Sequence, residues 1–411
     1  MNPAPSEAVR TLREPATIRE RCANITAAVE AGDSAWFRID DSRCAYTARL
    51  VAELTLRQYP GLNVPYHSRW RHFEAGGIDL VQTLRGLIGP WQDEALARAS
   101  LDLAVVSVLL DAGAGPDWSW QEPGGTIHTR SEGLGVASFH AFVNGAFSSE
   151  RGKPLQVDAR GLQRIDAPHL AKLFQVSPDN PLLGLEGRAA LLRRLGEALE
   201  TQESAFGLFG GPARPGALFD LLAGKTQGST IEAAELLRAL LDHFSSVWLT
   251  PSRIDDTPLG DVWRHRRAGG RGDSAGWAPF HKLSQWLAYS LVEPFESAGF
   301  QVAGLDALTA LPEYRNGGLL IDSGWLQLRD AARGPRSWQV GDELVIEWRA
   351  LTVCLIDKLA ESVRGLLKLD AQQLPLASLL QGGTWGAGRQ LAMELRSGLP
   401  PLSIETDGTV F

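Results

Sequence analysis

Cysteine is scarce in this 411-residue chain. The three that occur, Cys22, Cys44 and Cys354, lie far apart with no CxxC spacing. That excludes a disulfide framework and a thiolate zinc site, and it leads us to expect a reducing, cytoplasmic setting. Positive charge is also in deficit, with 40 Lys and Arg against 48 Asp and Glu and a net charge of -8. A broad cationic surface for duplex nucleic acid or anionic lipid is therefore not expected, although a local cluster of Arg, Lys and His is enough to hold one phosphate. No apolar run is long enough for a membrane span. The longest candidate, LDLAVVSVLLDAGAG, is short and contains Asp102 and Asp111, and the polar first residues lack an apolar signal core.

Common catalytic signatures are missing too. There is no HExxH or HxH pair, no Walker-A loop and no GxGxxG after a strand, and the GxSxG match at 272–276 lies in an arginine-rich stretch without the strand-to-helix flanks of a nucleophile elbow. RSEGLG and RGDSAG are only loosely glycine-rich. These absences weigh against bound metal, nucleoside triphosphate and dinucleotide, and we expect no cofactor. They also leave no internal repeat at solenoid period.

What is present is helical periodicity interrupted by loops rich in Gly, Arg and Trp. Pro15 divides an early helical stretch in two, and Asp40 to Ser42 can cap a helix over about 43–58. Strong helical patterns follow in LEGRAALLRRLGEALE, IEAAELLRALLDHFSSVW and DELVIEWRALTVCLIDKLAESVRGLL, and HKLSQWLAYSLVEPFESAG reads as a helix ending near Pro294. The stretch from Pro258 to His281 reads as an arginine-rich loop. Strands are expected chiefly in SWQVGDEL and in the tail PLSIETDGTVF, which carries a DG turn signal. The expected fold is mainly α and compact, a single unit over 1–411 with a subdivision at 1–150 and 151–411.

The densest polar junction is LDALTALPEYRNGGLLIDSGWLQL, residues 305–328. Pro312 stops an apolar lead-in, Glu313, Tyr314, Arg315 and Asn316 stand together, and Gly317-Gly318 permits either a turn or a close backbone approach. Polar groups on a short irregular segment between buried elements are often placed there for chemistry. The same residues also fit a plain surface ion pair in a turn. Other dense segments are His67 to His72, Arg130 to Glu132, Asp261 to His265, Phe280 to Trp286, and Glu343 with Glu347-Trp348-Arg349. Arg grips phosphate or carboxylate bidentately, Trp and Tyr wall a flat or sugar-like ligand, and a neighbouring carboxylate can act as base. Glu347 and Arg349 are two apart on one helix and cannot face the same way.

Several of these segments, VPYHSRWRHFEAGG, RSEGLGVASFHAFVNGAFSS, PLGDVWRH, PFHKLSQWLAYSLVEP, LPEYRNGGLLIDSG, ELVIEWRALTV, GGTWGAGR and the terminal DGTVF, resemble the uracil-catabolism family of the URC pathway, from about residue 10 to the last. A second, short-motif similarity is to the queuosine-salvage nucleotide hydrolases, mainly α-helical proteins of DNA-glycosylase-like (helix-hairpin-helix) architecture. Glu313-Tyr314-Arg315 is similar to their Asp-Tyr-Arg turn, with Glu in place of Asp. Lys282 to Gln285 and Glu347-Trp348-Arg349 are similar to their Lys/Arg-x-x-Gln and Glu-x-Arg helices. The resemblance implies hydrolysis of an N-glycosidic bond in a uracil-derived ribosyl 5′-phosphate. It implies Glu313 as the catalytic carboxylate, with Asp322 or Asp261 as alternatives. Arg315, Lys282 and His281 would hold the phosphate, and Trp263, Trp70 and Tyr314 would wall the ligand, with His67, Gln285, Glu347 and Arg349 as further binding residues. A protein that binds or scaffolds a pyrimidine intermediate without chemistry is the alternative. A nucleic-acid partner is not expected, because no basic track with aromatic platforms is present.

Overall fold

A computed structural model describes residues 5–77, 79–89, 93–111, 113–207, 211–226, 228–330 and 336–405. The terminal DGTVF lies outside them. Helices dominate, as expected, and the strands are two or three residues long and join in two-stranded pairs. The chain folds as two compact units built from interleaved segments. Among the described residues, one takes 5–67, 250–285 and 304–405, and the other takes 68–249 and 286–303. Residue 150 thus falls inside the second unit.

The first unit is built around the helix Glu343–Leu367, against which the helices Pro15–Glu30, Cys44–Gln58 and Tyr314–Asp322 pack. Every residue from Leu344 to Val353 is buried, so this half of the helix is core on all sides and any charge it carries needs a partner. Pro15 takes the first position of its helix, where a missing N–H costs nothing. The stretch expected to be an arginine-rich loop contains an antiparallel hairpin, Val262–Arg264 with Trp277–Pro279, and only its connection is irregular. Its apolar side packs with Val9 and Leu12 in a small satellite core, which a reading of charge density alone does not detect. The two expected strand regions pair with each other, Ser337–Gln339 lying parallel to Ser403–Glu405.

The second unit has the buried helix Asp93–Leu109 at its centre, with Arg130–Val143 and Leu185–Glu200 against it. Here the helix expected to end near Pro294 instead runs from Lys282 to Ser297. A proline at 294 frees the carbonyl of Ser290 from its helical partner. The indole N–H of Trp70 donates to that carbonyl at 2.6 Å, so the break is repaired by a tertiary hydrogen bond.

Candidate active site at two helix N-termini

The geometry starts from Pro312. Leu311 is held out of the helical region by the proline behind it, and the Glu313 N–H closes a turn on the Leu311 carbonyl at 2.9 Å. Glu313 is then the N-cap of the helix Tyr314–Asp322. Its carboxylate accepts from the N–H of Arg315 at 2.8 Å and of Asn316 at 2.6 Å. Ser, Thr, Asp and Asn are the usual caps; Glu does the same from one methylene further out. Two backbone donors and the helix dipole fix and stabilise the anion. Burial nevertheless pushes this carboxyl above its ordinary range, against the pull of those N–H groups and of the Lys282 and Arg315 charges.

A second helix N-terminus is assembled by Asp261. Its carboxylate receives both terminal nitrogens of Arg349, at 2.7 and 2.6 Å, the indole N–H of Trp263 at 2.7 Å, and the backbone N–H of Lys282 at 2.9 Å. Burial works to raise this group, but the Arg349 charge and these donors outweigh it and hold Asp261 below the ordinary carboxylate range. The Arg349 Nε also donates to the Pro312 carbonyl at 3.3 Å. One guanidinium from the central helix therefore ties the cap of the Lys282 helix to the bend before the Tyr314 helix.

Lys282 stands at the first position of its helix, where a cation opposes the dipole. Its charge is close enough to Glu313 and to His67 to act on both. Beside it, His281 is in the left-handed region at φ 49, a strained conformation for a non-glycine residue. Its ring is buried, its Nε2 donates to the Leu12 carbonyl at 2.9 Å, and burial lowers its pKa to about 4. His281 is thus held neutral near pH 7, with its ring N–H already given to Leu12.

The other expected site residues are placed as follows. Gln285 is buried and cross-links Phe280 and Thr309, donating to the Phe280 carbonyl at 3.0 Å and accepting from the Thr309 N–H at 2.7 Å, so it positions backbone. Arg315 is buried, reaches the Gly398 carbonyl at 3.2 Å and lies over the Tyr314 ring, while Tyr314 is itself exposed. His67 pairs through Nδ1 with Gln381 at 2.9 Å, and burial lowers its pKa. Three expected residues have partners of their own. Asp322 sits at the far end of its helix, roughly 13 Å away by helical rise, in an ion pair with Arg396 at 2.6 Å. Trp70 is core of the other unit, on the Ser290 carbonyl. Glu347 leaves its helix on a side other than Arg349's and accepts from the Ser34 hydroxyl.

Close-packed glycines and one hydroxyl hold the bend in place. A Cβ on Gly388 would stand 2.1 Å from the Arg315 carbonyl oxygen, and one on Gly317 would meet the Trp348 ring at 2.7 Å. Gly317 and Gly318 are helical, so this pair serves close approach rather than a turn. The Thr384 hydroxyl donates to the Asn316 side chain at 2.8 Å. Gly388 and Thr384 both belong to the GGTWGAGR segment, where a π-helical turn at Leu380–Thr384 leads into the helix Trp385–Arg396. The glycine spacing was visible in sequence; its partner, a carbonyl more than seventy residues earlier, was not.

Residues 11–411 match the family described as protein of unknown function (DUF1688). The chain belongs to this family. Among its relatives, it is 36% identical to uracil catabolism protein 4 of Lachancea kluyveri over 434 aligned residues, covering 96% of this chain and 97% of that protein. It is 35% identical to protein urg3 of Schizosaccharomyces pombe over 418 residues, covering 99% of this chain and 100% of that one. No described helix is long and apolar enough to cross a membrane, and no group of three or more His, Cys, Asp or Glu among the described residues is placed to hold a metal ion.

Proposed function

We propose that this protein acts in uracil breakdown by hydrolysing the N-glycosidic bond of a uracil-derived ribosyl 5′-phosphate, with ribosylurea 5′-phosphate as the leading candidate. The observation that carries this reading is the Glu313 carboxylate, fixed by two backbone N–H groups at a bend with the Lys282 charge beside it. Cleavage of C1′–N leaves the bonding pair on nitrogen and builds positive charge on the sugar. A carboxylate below C1′ stabilises that charge and takes a proton from the attacking water as its oxygen bonds to C1′, while the leaving nitrogen gains a proton. Lys282 is the phosphate ligand, with Trp263 and Tyr314 beside the ribosyl group. The relative's name, uracil catabolism protein 4, supports the pathway, and the similarity to queuosine-salvage hydrolases supports the bond type and a DNA-glycosylase-like arrangement of helices. The protein is expected to act in the cytoplasm.

The test is incubation with ribosylurea 5′-phosphate and, separately, uridine 5′-phosphate, with ribose 5-phosphate release followed by mass spectrometry. Release that is lost in Glu313→Gln supports the reading; equal release in that variant removes it. A second reading follows from the complete use of Glu313 as a helix cap: a non-catalytic binder or scaffold for the same intermediate. It predicts tight binding, no product, and indifference to Glu313→Gln.

A further inference from the structure

On another side of the central helix, the first unit holds a polar centre that the Glu313 chemistry does not use. Glu343 and Glu347 are one turn apart, so both reach the same neighbour. That neighbour is His265, only 4% exposed. Its Nδ1 accepts from the Arg267 N–H at 3.1 Å, which leaves the proton of the neutral ring on Nε2. The Nε2 has no hydrogen-bond partner among the described residues. It faces Glu343 Oε1 at 3.8 Å and Glu347 Oε2 at 3.9 Å.

Those gaps are too long for direct hydrogen bonds, and a buried donor left unpaired is costly. One oxygen at about 2.8 Å from each of the three groups would accept from His265 and donate to a carboxylate. Glu343 is the exposed member of the three, with its side chain 37% exposed, while the His265 and Glu347 side chains are buried. Trp36 borders it, donating its indole N–H to Glu343 Oε2 at 3.2 Å, with Trp338 edge-on to Trp36 at 5.7 Å between ring centroids. Arg266 donates to Glu343 Oε1 at 2.9 Å, so one carboxylate is already offset by a cation. The lining therefore suits a neutral hydroxyl with an apolar ring face behind it better than a cationic ligand.

We propose that His265, Glu343 and Glu347, bordered by Trp36 and Trp338, form a second binding site that takes a hydroxyl of a sugar-class ligand between the imidazole N–H and the two carboxyl groups. This site is separate from the Glu313 bend and does not rest on the hydrolase reading. The test is a titration of the full chain, labelled with 13C at histidine, with D-ribose and with ribose 5-phosphate. The His265 ring signal, assigned by its loss in His265→Gln or by Overhauser contacts to tryptophan if that variant does not fold, is expected to move saturably. The same movement is expected in Glu313→Gln, and binding is expected to weaken at least tenfold in Trp338→Leu. A signal that stays fixed to saturating sugar, meaning the gap holds water only, overturns the proposal. So does movement that vanishes in Glu313→Gln, which would place the sugar at the bend. Product release in the hydrolase assay is read independently of either result.

Discussion

Two sides of the helix Glu343–Leu367 treat a buried carboxylate in opposite ways. On one, Asp261 gathers four donors, two of them from Arg349, and is held as an anion. On the other, Glu347 has the Ser34 hydroxyl and a histidine just out of reach. Burial, with Glu343 adding repulsion, pushes it up to about 7 in spite of the more distant Arg266 and Arg329 charges. The contrast shows that burial alone does not decide protonation. The number and charge of the donors decide it. A fully paired carboxylate makes a scaffold, whereas an under-paired one remains able to exchange a proton near neutral pH.

Removing Arg349 should break the paired side most severely. Arg349→Met leaves Asp261 buried without its cation and releases the Pro312 bend, and a loss of about 3–5 kcal/mol is expected, read as a large drop in melting temperature. A variant that melts like the parent would mean that Asp261 is not ionised. Next in size, Glu313→Gln should lower turnover by roughly 10²–10³-fold and melt somewhat lower, since its one amide oxygen can accept from only one of the two N–H groups that the carboxylate holds. The raised pKa of Glu313 sets the sign of the pH profile. The free enzyme's kcat/KM should fall on acidification while the pH is still above the ordinary carboxylate range, and a profile flat down to pH 4 would contradict the base role.

Gly388→Ala comes third, at about 1–3 kcal/mol. Its methyl group would press on the Arg315 carbonyl and shift the Tyr314 helix, so kcat should fall along with stability. A variant with full activity would show that the bend tolerates movement. The smallest effect is expected on the under-paired side. The Glu347 pKa is raised in the folded state above its ordinary 4.5. Its neutral form therefore stabilises the fold at low pH, and that contribution is lost as pH rises through about 7. Glu347→Gln should accordingly gain about 1–2 kcal/mol over the parent at pH 8 and nothing at pH 4, measured by chemical denaturation at both values.

Much of the frame was legible beforehand. Pro15 and the polar junction at Pro312 act locally, through φ restriction and unpaired backbone N–H groups, and local rules reach them, whereas Asp40 caps the 3-10 turn Asp41–Arg43 and the helix Cys44–Gln58 has no side-chain cap. Pro294 misled because the donor that repairs it, Trp70, lies more than two hundred residues earlier. The clamp on Asp261 was out of reach of local rules for the same reason: its partner Arg349 belongs to a helix 88 residues later. The hairpin around Val262 was hidden by arginines in its connection, which dominate composition but do not form its core.

The sequence by itself determined where helices start, that Glu347 and Arg349 diverge, and that a carboxylate stands directly behind Pro312, because these follow from chain stereochemistry within a few residues. Only the tertiary structure decided which carboxylates are clamped and which are left short of donors. That depends on partners brought together from remote segments, and the desolvation that makes the difference exists only once the core has closed around them.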